Sequence, residues 1–150
     1  MNSITYQRLT TILDVDIPRL WELYTLPEIS RFISIAENYF TYVTTTESVR
    51  FFKIFLDGQL VGAVHLEMPR NVLFMDIALF PEHQGKGIGT RVLKDVVNGS
   101  FGLNFDCIEV SIDENNLHSI NLFEGAGFVF KSRDAELLNY VYTPKKSTLC

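Results

Sequence analysis

The segment Gln84-Gly85-Lys86-Gly87-Ile88-Gly89-Thr90 places three glycines in alternation immediately before an apolar, helix-spaced stretch. Glycines let a backbone approach an anion with no Cβ in the way. The first N–H groups of a following helix lack internal partners and sit at the positive end of its dipole. Phosphate is the chemistry such a loop serves. A Walker A loop needs Gly-Lys followed by Ser or Thr, but Gly87 follows Lys86 and no earlier glycine stands at the required offset. The dinucleotide pattern G-x-G-x-x-G can start at Gly85 and Gly87, but its third position is Thr90. The spacing that fits is Q-x-x-G-x-G, carried by Gln84, Gly87 and Gly89. The bland alternative is a glycine-rich turn without a ligand.

Other reactive residue types are dispersed. His65, His83 and His118 lie too far apart for a ligand motif, and neither Cys107 nor Cys150 belongs to a C-x-x-C pair, so no metal is expected. Cys107 stands in an apolar, strand-like run and reads as a small buried hydrophobe.

The elements around the loop follow from periodicity. Ile4–Arg8 reads as a strand. Asp14 or Asp16 offers an N-cap, Pro18 suits a first helical turn, and Ile17, Leu20, Trp21 and Tyr24 recur at helical spacing. Pro27 opens a second helix with Ile29, Phe32, Ile33 and Ala36 on one stripe, and the Thr-rich Tyr42–Glu47 reads as a loop. Val49–Leu56 and Leu60–Glu67 pair across the Asp57-Gly58 turn. Val72–Phe80 follows and stops at Pro81. Ile88, Val92, Leu93, Val96 and Val97 mark a helix. Phe105–Ile112 is a strand, Leu117–Glu124 a helix closed by Gly125 and Gly127, and Phe128–Lys131 with Leu137–Tyr142 a final hairpin. The order β-α-α-β-β-β-α-β-α-β-β predicts a mixed sheet with helices packed against it.

Composition bounds the function. The 150 residues are 47% hydrophobic and include 12 Phe, 6 Tyr and one Trp, enough for a sizeable core. The net charge of −5 argues against a sequence-independent nucleic-acid binder. No apolar run approaches the ~20 residues of a membrane span, and the first residues do not resemble a signal peptide. A soluble, cytoplasmic protein with no nucleic-acid or membrane partner is expected.

Two segments carry a family resemblance. Asp76-Ile77-Ala78-Leu79-Phe80-Pro81-Glu82-His83-Gln84-Gly85-Lys86-Gly87-Ile88-Gly89 resembles the acetyl-CoA-binding motif of the GNAT (Gcn5-related) N-acetyltransferases. Asn116-Leu117-His118-Ser119-Ile120-Asn121-Leu122-Phe123-Glu124-Gly125-Ala126-Gly127-Phe128 resembles that family's N-x-x-A-x-x-L-Y-E-x-x-G-F pattern. They stand in family order, and the resemblance extends over roughly Val49 to Tyr142. It implies an α/β (α+β mixed) fold, a GNAT-like single domain over 1–150 with a central mixed, mostly antiparallel sheet flanked by helices.

The resemblance also implies roles. Backbone N–H groups of Gly85, Lys86, Gly87, Ile88, Gly89 and Thr90 would hold the CoA pyrophosphate beside Gln84, with Lys86 adding charge or standing solvated. Ile77, Ala78 and Leu79 match positions whose backbone pairs with the pantetheine arm like an added strand. The Leu79 N–H would donate to the thioester carbonyl. Asn116 matches a position that binds the cofactor arm, although a helix cap accounts for it equally well. Phe123 stands where many relatives carry Tyr, whose hydroxyl protonates the departing thiolate; phenylalanine has no proton to give.

Some relatives place Glu or His where the central strand meets the acceptor. In this chain Leu73, Met75, Ile77 and Leu79 share one strand face and all are apolar, whereas Asp76 points the other way. His65, Glu67 and Asp76 are the candidate bases, with solvated or structural roles as the alternative. The family builds its acceptor pocket from the N-terminal helices and last strands, which hold Trp21, Tyr24, Phe32, Tyr39, Phe40, Tyr42, Tyr140 and Tyr142. Most such aromatics are core, but Tyr39 to Tyr42 are too dense to be buried on one face.

The implied activity is transfer of acetyl from acetyl-CoA to a primary amine, preferably of a small molecule, by direct attack in a ternary complex. The alternatives are a non-catalytic acyl-CoA-binding module and a protein N-terminal or lysine acetyltransferase. An aminoacyl-tRNA acetylating toxin is disfavoured by the acidic balance. An exposed Leu137–Tyr142 edge would invite a homodimer.

Overall fold

The computed structural model describes residues 3–144. Seven strands lie in one sheet in the order β1-β2-β3-β4-β5-β7-β6, and five α-helices accompany them among the described residues. The strands are β1 (Ile4–Arg8), β2 (Val49–Leu56), β3 (Gln59–Glu67), β4 (Val72–Leu79), β5 (Cys107–Asp113), β6 (Val129–Asp134) and β7 (Leu137–Tyr142). The helices are α1 (Ile17–Thr25), α2 (Pro27–Ser30), α3 (Tyr39–Thr45), α4 (Ile88–Val97) and α5 (Leu117–Gly125). Pairings β1–β2, β2–β3, β5–β7 and β6–β7 are antiparallel, and β4–β5 is parallel. The fold is the mixed, mostly antiparallel sheet with helices that the sequence predicts. Among the described residues no helix is long and apolar enough to cross a membrane.

The described residues form two compact units, one reaching to Glu67 and including Asp76–Gln84, the other comprising Met68–Met75 and the described residues from Gly85 onward. In the first unit, Leu20, Leu23 and Tyr24 of α1, Phe40 and Val43 of α3, and Phe51, Ala63 and Ala78 of the strands form the core. Trp21 meets Phe40 edge to face at 5.0 Å, an arrangement aromatic pairs favour. Asp16 occupies the N-cap position of α1 but makes no side-chain cap bond. Its carboxylate binds Lys53 Nζ at 2.8 Å, as does that of Asp14, and the Lys53 side chain is only 2% exposed. A buried ammonium outcompetes the helix end for the carboxylate because it has no water to fall back on.

Two expectations for this unit are corrected. The second helix stops after Ser30 instead of continuing through Ala36. Ile33 and Ile35, two residues apart, both pack on the core, a spacing that suits irregular or extended chain. Conversely Tyr39–Thr45 is helical where the sequence reads as loop from Tyr42. Threonines disfavour helices partly because their hydroxyls compete for backbone groups. Here Thr44 donates to Phe40 O at 2.7 Å and Thr45 to Thr41 O at 2.6 Å, so that competition is resolved inside the helix.

In the second unit, α4 turns Ile88, Val92, Leu93 and Val96 inward, and Cys107, Ile108, Val110 and Ile112 of β5 are buried. Cys107 is fully buried, as the small-hydrophobe role expected for it requires. Strand β7 lies between β5 and β6, so Leu137–Tyr142 is not the edge expected. The edge is β6, exposed along its whole length.

Candidate active site

Two polar constructions emerge, one in each unit. In the second unit the chain passes through Gly85 at φ +73° and Gly87 at φ +82° before α4 begins. Left-handed φ values of this kind favour glycine, and nothing lies within 4 Å of where a Cβ would stand at either position. Gly87 is the N-cap of α4, and no side chain caps the helix. The first internal bond runs from the Arg91 N–H to Gly87 O at 3.1 Å. The amides of Ile88, Gly89 and Thr90 therefore begin the helix without an internal acceptor. Three converging donors, open space and a dipole end fit a diphosphate. Lys86 is exposed beside them.

Elsewhere in this unit, Asn116 caps α5, its Oδ1 accepting from the Ser119 N–H at 3.3 Å, which is the cap reading of that residue. Phe123 is 4% exposed and meets Phe128 edge to face at 5.0 Å. Tyr140 donates to Glu124 at 2.8 Å, and that bond, followed by burial, raises its phenol above the usual range. Tyr142 packs on Phe128 at 5.4 Å. Both of these tyrosines are engaged inside their own unit.

In the first unit, β4 carries Asp76, Ile77, Ala78 and Leu79 to Phe80, whose N–H donates to Val61 O at 3.0 Å. The Gln84 side-chain amide reaches back to Leu79 O at 3.1 Å, tying the start of the loop to the strand end. Gly62 of β3 makes the close approach possible: a Cβ there would stand 2.2 Å from Ala78 O and 2.7 Å from Leu79 Cδ2. Gly62 escaped the sequence reading because an isolated strand glycine has no pattern to mark it.

His65, Glu67 and Asp76, the three candidate bases, come together. His65 Nε2 lies 2.9 Å from Glu67 Oε1, and its Nδ1 lies 2.6 Å from the Tyr39 hydroxyl. The Tyr39 and His65 rings stack at 5.7 Å. Tyr42 donates to Glu67 Oε2 at 2.6 Å. Tyr39 and Tyr42 stand one turn apart on α3, and His65 and Glu67 alternate on β3, so the two pairs match. The sequence hides that match because Tyr42 reads as the start of a Thr-rich loop.

Asp76 does turn away from the apolar face of β4, as alternation requires, and in doing so joins this cluster. Its Oδ1 is sealed from solvent without a hydrogen-bond partner. Burial raises its carboxyl above the ordinary range; His65 opposes that shift and the Glu67 charge adds to it. Burial also pushes the phenols of Tyr24 and Tyr39 far up, assisted by the Asp76 charge. The hydrogen bond to Glu67 raises Tyr42. Among the described residues, no three His, Cys, Asp or Glu side chains are grouped as metal ligands.

The chain matches the acetyltransferase (GNAT) family over residues 8–128, most of its length. It belongs to that family. A search of curated proteins found no match. Among solved structures, this GNAT protein is similar to a domain from Methanocaldococcus jannaschii at TM-score 0.82 and 22% identity, covering 96% of this chain and 100% of that one. Spermidine N-acetyltransferase from Vibrio cholerae, solved with CoA and spermine, aligns at TM-score 0.78 and 19% identity, covering 93% and 95%. The Campylobacter jejuni N-acetyltransferase PseH, solved with acetyl coenzyme A, aligns at TM-score 0.75 and 14% identity, covering 94% and 99%. At these identities the likeness is one of fold.

Proposed function

We propose that this GNAT protein transfers acetyl from acetyl-CoA to the primary amine of a small molecule, by direct attack with both substrates bound. The observation that carries the reading is the row of uncapped amides at Ile88, Gly89 and Thr90, entered through left-handed Gly85 and Gly87. Those amides, with Lys86, grip the CoA diphosphate. Ile77, Ala78 and Leu79 offer backbone groups to the pantetheine arm, and Gln84 holds the strand end that carries them. Asn116 contributes to the arm from the first turn of α5, and Phe123 lines it with an apolar ring. Acetyl-CoA supplies an activated acyl group; the protein supplies orientation and charge. The Leu79 N–H stabilises negative charge developing on the carbonyl oxygen.

An ammonium of ordinary pKa ~10.4 must lose a proton before it attacks, at a cost of about 4–5 kcal/mol at pH 7. Glu67 is the favoured acceptor. Its side chain is 28% exposed against 11% for His65, whereas the inner Asp76 oxygen is sealed. Asp76 and Glu67, together with the net charge of −5, favour a cationic acceptor, consistent with the spermine bound by the Vibrio cholerae relative. The thiolate departs without a tyrosine at 123, which its pKa near ~8.5 permits.

The buried ring at Phe123 favours one second reading, an acyl-CoA-binding module without turnover. Calorimetric titration with acetyl-CoA, followed by thiol release against polyamines, aminoglycosides and a lysine peptide, separates the readings. Saturable micromolar binding and release with a small amine are expected. Binding without release on any amine supports the module, release with the peptide alone moves the acceptor to proteins, and absence of binding overturns both readings.

A further inference from the structure

The Tyr39–His65–Glu67 contact has a direction. Tyr39 has one hydroxyl proton, and burial holds its phenol far above the usual range, so the proton stays in place at working pH. Its oxygen lies 2.6 Å from His65 Nδ1. A hydroxyl donating there requires a bare Nδ1, which puts the proton of a neutral imidazole on Nε2. Nε2 faces Glu67 Oε1 at 2.9 Å, a carboxylate that can only accept. The other Glu67 oxygen already accepts from Tyr42.

The groups behind Tyr39 reinforce that direction. The Tyr24 hydroxyl is buried without a hydrogen-bond partner, its ring 5.7 Å from that of Tyr39. The sealed Asp76 carboxylate oxygen is likewise unpartnered. A negative charge beside both phenols disfavours loss of either proton. Among the described residues His65 Nδ1, at 2.6 Å, is the acceptor that meets full hydrogen-bond geometry with the Tyr39 hydroxyl, in competition with a looser interaction with the Tyr24 hydroxyl.

We infer that Tyr39 is a positioning residue: it fixes the Nε2–H tautomer of His65, and through that imidazole it holds Glu67 in the orientation that receives the amine proton. Both His65 nitrogens are then occupied, one accepting and one donating. Glu67 is left as the proton acceptor, with His65 as its support. Tyr39 touches neither substrate in this scheme and acts only through the ring.

The tautomer stands apart from the transferase reading, on which the role of Glu67 as proton acceptor and the kinetic consequence both rest. Long-range proton–nitrogen correlation spectra of the free, ¹⁵N-histidine-labelled protein report the tautomer and need neither acetyl-CoA nor amine. In the native chain at neutral pH, His65 should show a bare Nδ1 and a protonated Nε2. Tyr39→Phe retains the stacked ring and should give a mixture of tautomers, while Tyr42→Phe should leave the tautomer unchanged. A native ring protonated on Nδ1, or a Tyr39→Phe tautomer identical to the native one, overturns the inference. With an amine that supports thiol release, Tyr39→Phe should lower kcat about tenfold while the KM for acetyl-CoA stays put. A reversed split, with KM raised and kcat kept, also overturns it.

Discussion

At Asp76 a carboxyl stands where the fold disfavours a charge. Its inner oxygen has no hydrogen-bond partner, and burial raises its carboxyl, helped by the Glu67 charge and opposed by His65. For an acid, a folded-state pKa above the unfolded one means that ionisation costs folding energy at pH 7. The cost shrinks as the pH falls below the folded value and is gone below the ordinary 3.8. Asp76→Asn should therefore stabilise the chain at pH 7, by an amount of order 1 kcal/mol. The gain should shrink towards pH 4, which thermal melts at the two pH values would check. On the proposed reading the same substitution should slow acetyl transfer, because it alters the field that His65 and Glu67 feel. A variant that was both more stable and fully active would leave Asp76 with no functional account.

Within elements, the sequence was legible wherever apolar spacing and local chemistry agreed. Helix α4 has a strict apolar stripe and a glycine start, and both its bounds and its loop could be read. Helix α3 could not, because its threonines argue against a helix and only the burial of Phe40 and Val43 overrides them. Without α3, the sequence marks Tyr39 and Tyr42 as pocket aromatics but does not pair them with His65 and Glu67. Gly62 was invisible for another reason: its use depends on the β4 backbone beside it. Gly62→Ala should cost about 1–3 kcal/mol by overpacking and should displace Leu79, lowering kcat more than acetyl-CoA affinity. Gly87→Trp has the opposite profile. No atom lies within 4 Å of a Cβ there, so the backbone cost is the left-handed φ, about 1–2 kcal/mol. Acetyl-CoA binding should nonetheless vanish in calorimetry while circular dichroism shows a folded protein. Normal binding by Gly87→Trp would remove the loop from the site.

For the molecule as a whole, stability across pH turns on Lys53 between Asp14 and Asp16. Burial alone would raise Asp14, but the Lys53 bond, the Asp16 N–H and the Lys53 charge together hold it below its ordinary 3.8. Its contribution is thus present above that value and lost as the pH falls through the folded one. For Lys53, burial alone would lower the ammonium, but the hydrogen bonds and charges of both aspartates raise it above its ordinary 10.5. That contribution is full below 10.5 and disappears as the pH rises through the folded value. Melting temperature should accordingly be flat through neutrality and fall at both extremes. Lys53→Met tests the cause. It leaves two part-buried carboxylates without their cation, which at pH 7 should cost about 3–5 kcal/mol. With the Lys53 bond and charge gone, burial outweighs the Asp16 N–H that still lowers Asp14, so the sign inverts for that carboxyl. Between pH 7 and pH 4 the native chain should hold its stability while Lys53→Met recovers part of its deficit. The native loss should follow only below 3.8. Parallel acid-limb losses in the two proteins would mean that other carboxylates govern the acid response and that this triad does not.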